Sequence, residues 1–503
     1  MDPTKRIIIN TAAQYIKAVF NTILSLYSTR LILDALTVSD YGIYTVVGGV
    51  VAMLGFITNA LIVTTQRFIS FYNGKENQSL IATYFSNSLF LHVIIGILLC
   101  VILLFLQNWL INDILTIPTD RIAIAHDVYT ITAFMLFLTI MTAPFKALFI
   151  ARESIVFIVV IEMADAIIKL LLAIGLYYVQ SDKLLFYTIL MGSIVLLNFL
   201  VFAFCAQFRF KECQMMIRKK DIDINIIKQL LGFAGWSTYG MGAIATRNQG
   251  TAIVLNHFFG TSINAAYGIA FQVNGAVAFI VTSILNAMNP QIMKSEGGSD
   301  RKNMMRLASL QSKYSVIILS IVTIPLIIEM PSVLDAWLKE VPPYTSMFCQ
   351  FVLAGFICDQ FTMGLQSANQ AIGNIRNYTL FIYTPKLVYL PIIWIMLSHQ
   401  LSIDSIMWLF IIIELGVAMG RIVYTRHRTQ FDAYHYIRTV IAPWLSIAII
   451  MVLLGLIMVK WISIPYRFFF TFILLASSGV ISTYFFAMGE NERNNVKQFL
   501  KMK

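Results

Sequence analysis

Apolar residues run along this chain in stretches of about twenty, the length a helix needs to cross a bilayer's hydrocarbon. Such stretches lie near residues 8–33, 44–66, 85–107, 124–147, 154–179, 184–208, 229–256, 264–290, 312–337, 346–370, 377–398, 404–425, 437–459 and 466–488. They predict an all-α polytopic membrane protein of about fourteen transmembrane helices. The connections are short, as from Asp34 to Tyr41 and from Gln180 to Lys183, so consecutive spans should run antiparallel. The first stretch begins on Lys5 and Arg6 but runs past Leu33 without a small-residue cleavage site, and reads as a retained span rather than a signal peptide.

Within that first span the pattern changes. At helical spacing Asn10, Gln14, Lys17, Asn21, Ser25 and Ser28 share one face, and apolar residues cover the others. A lysine near mid-span costs about 2.5–3.5 kcal/mol on insertion scales. Lys17 should therefore face protein or a water-filled cavity. The second and eighth spans carry similar stripes, with Thr45, Gly48, Gly55, Asn59 and Gln66 on one and Gln272, Gly275, Thr282, Asn286 and Asn289 on the other. The stripes predict a hydrophilic cavity walled by spans one, two, seven and eight.

Composition agrees: 58% of the 503 residues are hydrophobic and 12% charged, more apolar surface than a soluble fold could bury. Of the 36 Lys and Arg, 26 fall in segments that are cytoplasmic if the N-terminus is inside, Arg67, Lys146 and Arg421 among them, and only Arg121, Lys183, Lys339, Lys460 and Arg467 fall outside. The positive-inside rule then puts both termini in the cytoplasm, in keeping with an even number of spans. The net charge of +11 is accounted for by topology and anionic headgroups. Nucleic-acid binding need not be invoked.

Five basic residues remain within spans: Lys17, Arg30, Lys169, Arg247 and Lys386. Acidic residues at similar depth are Glu162, Asp165, Glu329, Asp359 and Glu414. Glu162, Asp165 and Lys169 share a helix face, and Asp165 can pair with Lys169 one turn on. Arg30 has Asp34 one turn away. Arg247 has no acid within two turns and sits among Tyr239, Thr246, Asn248, Gln249 and Thr251, which makes it the leading candidate for an anion contact.

The chain also repeats. Tyr41-Gly42-Ile43 and Tyr267-Gly268-Ile269, 226 residues apart, fall in the expected outer loops after the first and seventh spans, and Gln66 and Gln291 close the next span of each half. Two parallel six-helix lobes follow, related by a pseudo-twofold axis along the membrane normal. Residues 1–208 form the first lobe, 209–228 a basic cytoplasmic linker, 229–428 the second lobe, and 429–503 two further helices with a cytoplasmic tail.

This span count, the polar helix opening each lobe and the loop Thr37-Val38-Ser39-Asp40-Tyr41-Gly42-Ile43-Tyr44 resemble the polysaccharide flippases of the multidrug/oligosaccharidyl-lipid/polysaccharide exporter superfamily. The resemblance implies translocation of a polyprenyl-diphosphate-linked oligosaccharide from the inner to the outer leaflet of a bacterial cytoplasmic membrane, by alternating access, for O-antigen or exopolysaccharide synthesis. It implies diphosphate contacts at Lys17, Arg30 and Arg247, and a lipid-tail groove formed by the last two helices. A sugar chain would meet Gln14, Asn21, Asn59, Trp236, Tyr239, Gln249, Gln272 and Asn286.

There is no Gly-x4-Gly-Lys-Ser/Thr loop for a nucleotide motor, so the driving force would be an H+ or Na+ gradient, the membrane potential, or removal of product. Glu162, Asp165, Lys169, Asp359 and Glu414 are the candidates for ion coupling or for structural ion pairs. No cofactor is expected. The five cysteines and six histidines form no ligand pattern, and the outer loops are too short for a glycan polymerase's catalytic loop, so the chain is not read as an enzyme. It is expected to act as a monomer in contact with membrane lipids and other polysaccharide-assembly proteins. The alternatives are an ion-coupled multidrug exporter of the same superfamily, which would want a carboxylate in its cavity, and a lipid II flippase.

Overall fold

The computed structural model describes residues 3–36, 40, 43–44, 48, 54–114, 117–213, 222–338, 341–461, 466–490 and 492–494, with side chains for all of these except 3–8, 22, 26, 29–30, 33, 113–114 and 261. The described residues are helical with short turns, and none is in a strand. In order they form α1 (Pro3–Ala35), α2 (Gly55–Gly74), α3 (Gln78–Trp109), α4 (Ile122–Ala151), α5 (Ile155–Gly175), α6 (Lys183–Arg209) and the long α7 (Ile224–Gly297). Then come α8 (Arg301–Ile328), α9 (Met330–Trp337), α10 (Thr345–Gln360), α11 (Met363–Ile372), α12 (Arg376–Ser398), α13 (Ile403–Thr429), α14 (Ala433–Trp461) and α15 (Arg467–Ala487).

Among the described residues helix stands within each of the fourteen expected places, with 45–47 and 49–53 of the second outside them. Among the described residues nine helices are long and apolar enough to cross a membrane, ten if α10 and α11, bent by 45°, make one span. The chain is a multi-pass membrane protein. Among the helices that fall short, α5 carries three charges within one span's length, Glu162, Asp165 and Lys169.

Local chemistry sets the boundaries. Asn77, Asp182 and Asp223 cap α3, α6 and α7, their side-chain oxygens accepting the N–H of Leu80 (3.0 Å), Leu185 (3.0 Å) and Asn225 (2.8 Å). The capped N-terminus of α7 starts five residues before the expected 229. Its one internal break is Gly260, at φ +79°, a conformation open to glycine. The second Tyr-Gly-Ile is therefore not a loop: Tyr267 lies inside the helical arm 261–297, buried, its ring 5.5 Å from that of Phe348. Tyr41 and Gly42, in the first copy, lie outside the described residues. The expected end points Gln66 and Gln291 are also passed, since α2 runs to Gly74 and α7 to Gly297.

The chain divides into two compact units, Met1–Met241 with Asn289–Asp300, and Gly242–Met288 with Arg301–Lys503. In the first unit two apolar clusters occupy opposite ends of the same helices. Cys100, Tyr129, Ala173 and Leu184 belong to one and Phe85, Phe149, Ile158 and Phe202 to the other. Between them on α4, α5 and α6 lies a polar middle. At one end of this unit α2 and α7 meet backbone to backbone: a Cβ on Gly297 would collide with the Phe71 carbonyl, and one on Gly74 with that of Lys294. Glycine is required at both.

In the second unit Glu329 ends α8. It is 2% exposed and is held by Arg467 (Nε, 2.8 Å; Nη2, 3.0 Å) and the Thr471 hydroxyl (2.8 Å), which ties α15 to the α8–α9 turn. α11 starts against α8, where the Gly364 N–H donates to Ser312 Oγ at 2.9 Å.

Candidate functional site

Each unit contains a cluster of charges at mid-helix. In the first, α5 supplies Glu162, which accepts from Lys17 Nζ of α1 at 2.7 Å and from Lys146 Nζ of α4. One turn on, Asp165 accepts from Lys169 at 2.7 Å and from Asn198 Nδ2 of α6 at 2.7 Å. The i,i+4 pair expected from spacing is present. Glu162, Asp165 and Lys146 line a cavity of about 560 Å³ together with Asn59, Asn198 and the threonines Thr58, Thr132, Thr139 and Thr142. The side chains of Lys17, Lys146 and Glu162 are 21%, 32% and 23% exposed. This cluster borders open space, and its hydroxyls and amides give that space a hydrogen-bonding wall.

In the second unit the cluster is more deeply buried, with Asp359 its most exposed member at 19%. Arg247, on the arm 224–259 of α7, donates through Nη1 to Glu414 of α13, and Nε and Nη2 share Asn248 Oδ1 at 3.2 Å. Its guanidinium lies 4.9 Å from the Phe410 ring centroid. Glu414 also accepts from Lys386 Nζ of α12 at 2.8 and 3.1 Å, and the same ammonium reaches Asp359 Oδ1 at 3.2 Å. Arg421, two turns beyond Glu414 on α13, closes the chain with Asp359 at 3.0 Å. Side-chain exposures are 8% for Arg247, 3% for Lys386, 2% for Glu414 and 1% for Arg421. Asp359 sits at the bend between α10 and α11, where Arg421 also bonds its carbonyl (3.2 Å) and Thr362 (3.3 Å).

Several sequence expectations change here. Arg247 is not a free anion contact: its carboxylate partner comes from a helix 167 residues away, beyond any reading of its own helix. Arg421, assigned to a cytoplasmic segment, is a fully buried member of the network, and its spacing of seven from Glu414 is the signal that would have placed it. Arg67, assigned likewise, is 6% exposed and packs over Phe68 and Phe71 at 4.5 and 4.8 Å. The polar stripe of α1 faces α5 and its preceding turn: Asn10 donates to the Glu153 carbonyl at 3.1 Å, Gln14 is buried, and Lys17 reaches Glu162. Part of the stripe therefore joins helices rather than lining a path. Asp34 accepts from Tyr177 at 2.7 Å, while the side chain of Arg30 lies outside the described residues.

Of the expected sugar contacts, Asn59 opens onto the first unit's cavity and Asn21 is half-buried with its amide oxygen unpartnered. Trp236 and Tyr239 stand edge to face with ring centroids 6.0 Å apart. In the second unit Gln249 and Gln272 are exposed and Asn286 half-buried, outside the charge network. Among the described residues no group of three His, Cys, Asp or Glu could hold a metal ion.

Both units thus set three cations against two carboxylates within their helices, on an all-helical fold shared with multi-pass transporters of the MATE type. A MATE crystal structure in complex with MaL6 matches with TM-score 0.72 at 14% identity, over 85% of this chain and 96% of that one. An outward-facing multidrug resistance MATE family transporter of the MOP superfamily matches at 0.72 and 14%, with the same coverage. A MOP superfamily transporter from Pyrococcus furiosus Vc1 (DSM3638), described as having a binding pocket of reverse polarity that suggests a different function, matches at 0.71 and 13% over 85% and 96%. At such identities the likeness is one of fold. No family model matches the chain, and no curated protein does.

Proposed function

We propose that the protein is a flippase that carries a polyprenyl-diphosphate-linked oligosaccharide from the cytoplasmic to the outer leaflet of a bacterial cytoplasmic membrane, for cell-surface polysaccharide synthesis. The observation that carries this reading is the surplus of positive charge at mid-depth in both units. Lys17, Lys146 and Lys169 outnumber Glu162 and Asp165, and Arg247, Lys386 and Arg421 outnumber Asp359 and Glu414. In a low-dielectric setting such an excess attracts anions and repels cations.

The first unit's cavity suits the cargo's head, since Lys17 and Lys146 can turn from Glu162 toward a phosphate while asparagines and threonines meet sugar hydroxyls. The prenyl tail stays in lipid. The share of the chain that the MATE structures leave uncovered, about one-seventh, is about the length of 429–503, the segment in which α14 and α15 are expected to guide that tail. Both termini are read as cytoplasmic, membrane lipids and polysaccharide-assembly proteins as the partners, and the protein as a monomer that binds no nucleic acid.

Glu162 and Asp165, at the cavity wall, are the carboxylates that an H+ or Na+ gradient could address, by competing with their lysines. They also support a second reading, export of cationic drugs, as do the multidrug transporters among the structural matches.

The test is transport by the purified protein in liposomes. Movement of a fluorescent polyprenyl-diphosphate oligosaccharide, with ethidium unmoved, is expected, and Lys17→Ala/Lys146→Ala should slow it at least tenfold, the scale of one lost charge-assisted hydrogen bond at about 1.5–3 kcal/mol. Ethidium transport without glycan transport would refute the proposal and support the drug reading.

A further inference from the structure

A second cavity, of about 880 Å³, opens in the second unit where the first turns of α8, the start of α14 and the end of α15 converge. By the alternation of spans, all three helix ends lie on the side that the basic segments mark as cytoplasmic. Its rim carries Lys302, Arg306 and Arg438, all exposed, while Met305, Pro443 and Phe486 form an apolar floor. The two acids at the rim are already engaged. Asp432 Oδ1 accepts the His435 N–H at 3.0 Å, and Glu492 holds Lys313 at 2.8 Å. With Lys313 paired to Glu492 and Asp432 set against the other three cations, the rim is left with a surplus of two.

The backbone is adapted to this place as well. Two of the π-helical segments among the described residues, Ile437–Ile441 and Thr483–Ala487, lie at the cavity. A π-turn widens a helix locally and is frequent at functional sites. Wide turns, an apolar floor and a net basic rim at the end of three spans together match one molecule in chemistry and position. It must be an amphiphile with an anionic phosphate at the interface and a hydrocarbon chain below it.

We infer that this cavity is a binding site for an anionic phospholipid of the cytoplasmic leaflet, its headgroup phosphate held by Lys302, Arg306 and Arg438 and its first acyl carbons laid against Pro443 and Phe486. The site is separate from the mid-helix clusters and does not depend on which cargo the protein carries. When filled, it would add a lipid bridge at the cytoplasmic end to the contacts that already join the last two helices to α8 through Glu329 and Ser320. Each cation near an anionic lipid is worth about fivefold in affinity, so removing three should weaken binding on the order of 100-fold.

The experiment is a titration of the delipidated full-length protein in neutral detergent with phosphatidylglycerol, phosphatidylcholine and inorganic phosphate, read by native mass spectrometry. Wild type should retain phosphatidylglycerol in preference to phosphatidylcholine, inorganic phosphate should not displace it, and Lys302→Ser/Arg306→Ser/Arg438→Ser should lose the preference while its lipid-free melting midpoint is unchanged. A triple lysine-and-arginine exchange, Lys302→Arg/Arg306→Lys/Arg438→Lys, should keep it. Equal retention of the two lipids, undiminished preference in the serine variant, or full displacement by inorganic phosphate would overturn the assignment.

Discussion

Replacing Glu414 by glutamine keeps the shape of the side chain and removes the charge that both Arg247 and Lys386 use. The network then holds three cations against Asp359 alone, at positions where Arg421, Lys386 and Glu414 are at most 3% exposed. Breaking one partner of such a buried pair costs about 3–5 kcal/mol. For a unit of about 250 residues each kcal/mol moves the melting midpoint by roughly 2–4 °C, so Glu414→Gln should lower it by about 6–20 °C. Adding Arg247→Gln restores the original surplus of one, and the double variant should regain at least half of the loss. The assay is thermal unfolding of detergent-solubilised protein followed by size-exclusion fluorescence. A single-variant shift under about 2 °C, or a double variant no better than the single one, would show that the cluster does not act as a balanced unit.

Two further outcomes are expected. Asp182 accepts from Arg121 Nη1 at 2.6 Å and from the Leu185 N–H at 3.0 Å; burial pushes its pKa up, but these donors outweigh it and hold the carboxyl below its ordinary value. Because the folded value is the depressed one, its stabilisation is complete above the unfolded value of about 3.9 and is lost as pH falls through the folded one. The melting midpoint of Asp182→Asn should therefore lie below wild type at neutral pH, with the gap narrowing as pH falls below about 3.9, and a constant gap would contradict this. Gly297→Ala places a Cβ against the Phe71 carbonyl, so the ends of α2 and α7 should part; maleimide labelling of a cysteine at Asn73 should speed up, and an unchanged rate would mean the seam is not tight.

Much of the fold was legible because a bilayer leaves the backbone few choices: an apolar run of twenty residues has to be helix. The Asp165–Lys169 pair was legible for a similar reason, since both residues lie on one helix. What was not legible depends on distance along the chain. Lys17 finds Glu162 across 145 residues and Arg247 finds Glu414 across 167, and no periodicity on α1 or α7 announces those partners. The break after the seventh span falls at Gly260, inside the gap between the expected spans 229–256 and 264–290 and at a residue that tolerates positive φ without strain, whereas the recurring Tyr267-Gly268-Ile269 assigned to that loop lies in the helical arm beyond it. Charge alone misassigned Arg421, because counting basic residues near a span's end ignores that its guanidinium can turn inward to Asp359.

The order in which the buried network's members leave the ribosome bears on how the protein is made. Lys386 enters the translocon with Asp359 already 27 residues ahead of it, and Glu414 follows 28 residues behind, so each new helix brings the counter-charge its predecessor needs. Arg247 has no such escort and is left uncompensated until α13 emerges. A nascent chain halted before that point would hold the Arg247 guanidinium without its carboxylate, while the Lys386 ammonium could still reach Asp359. Emergence of α13 is thus the step at which Arg247 gains its counter-charge.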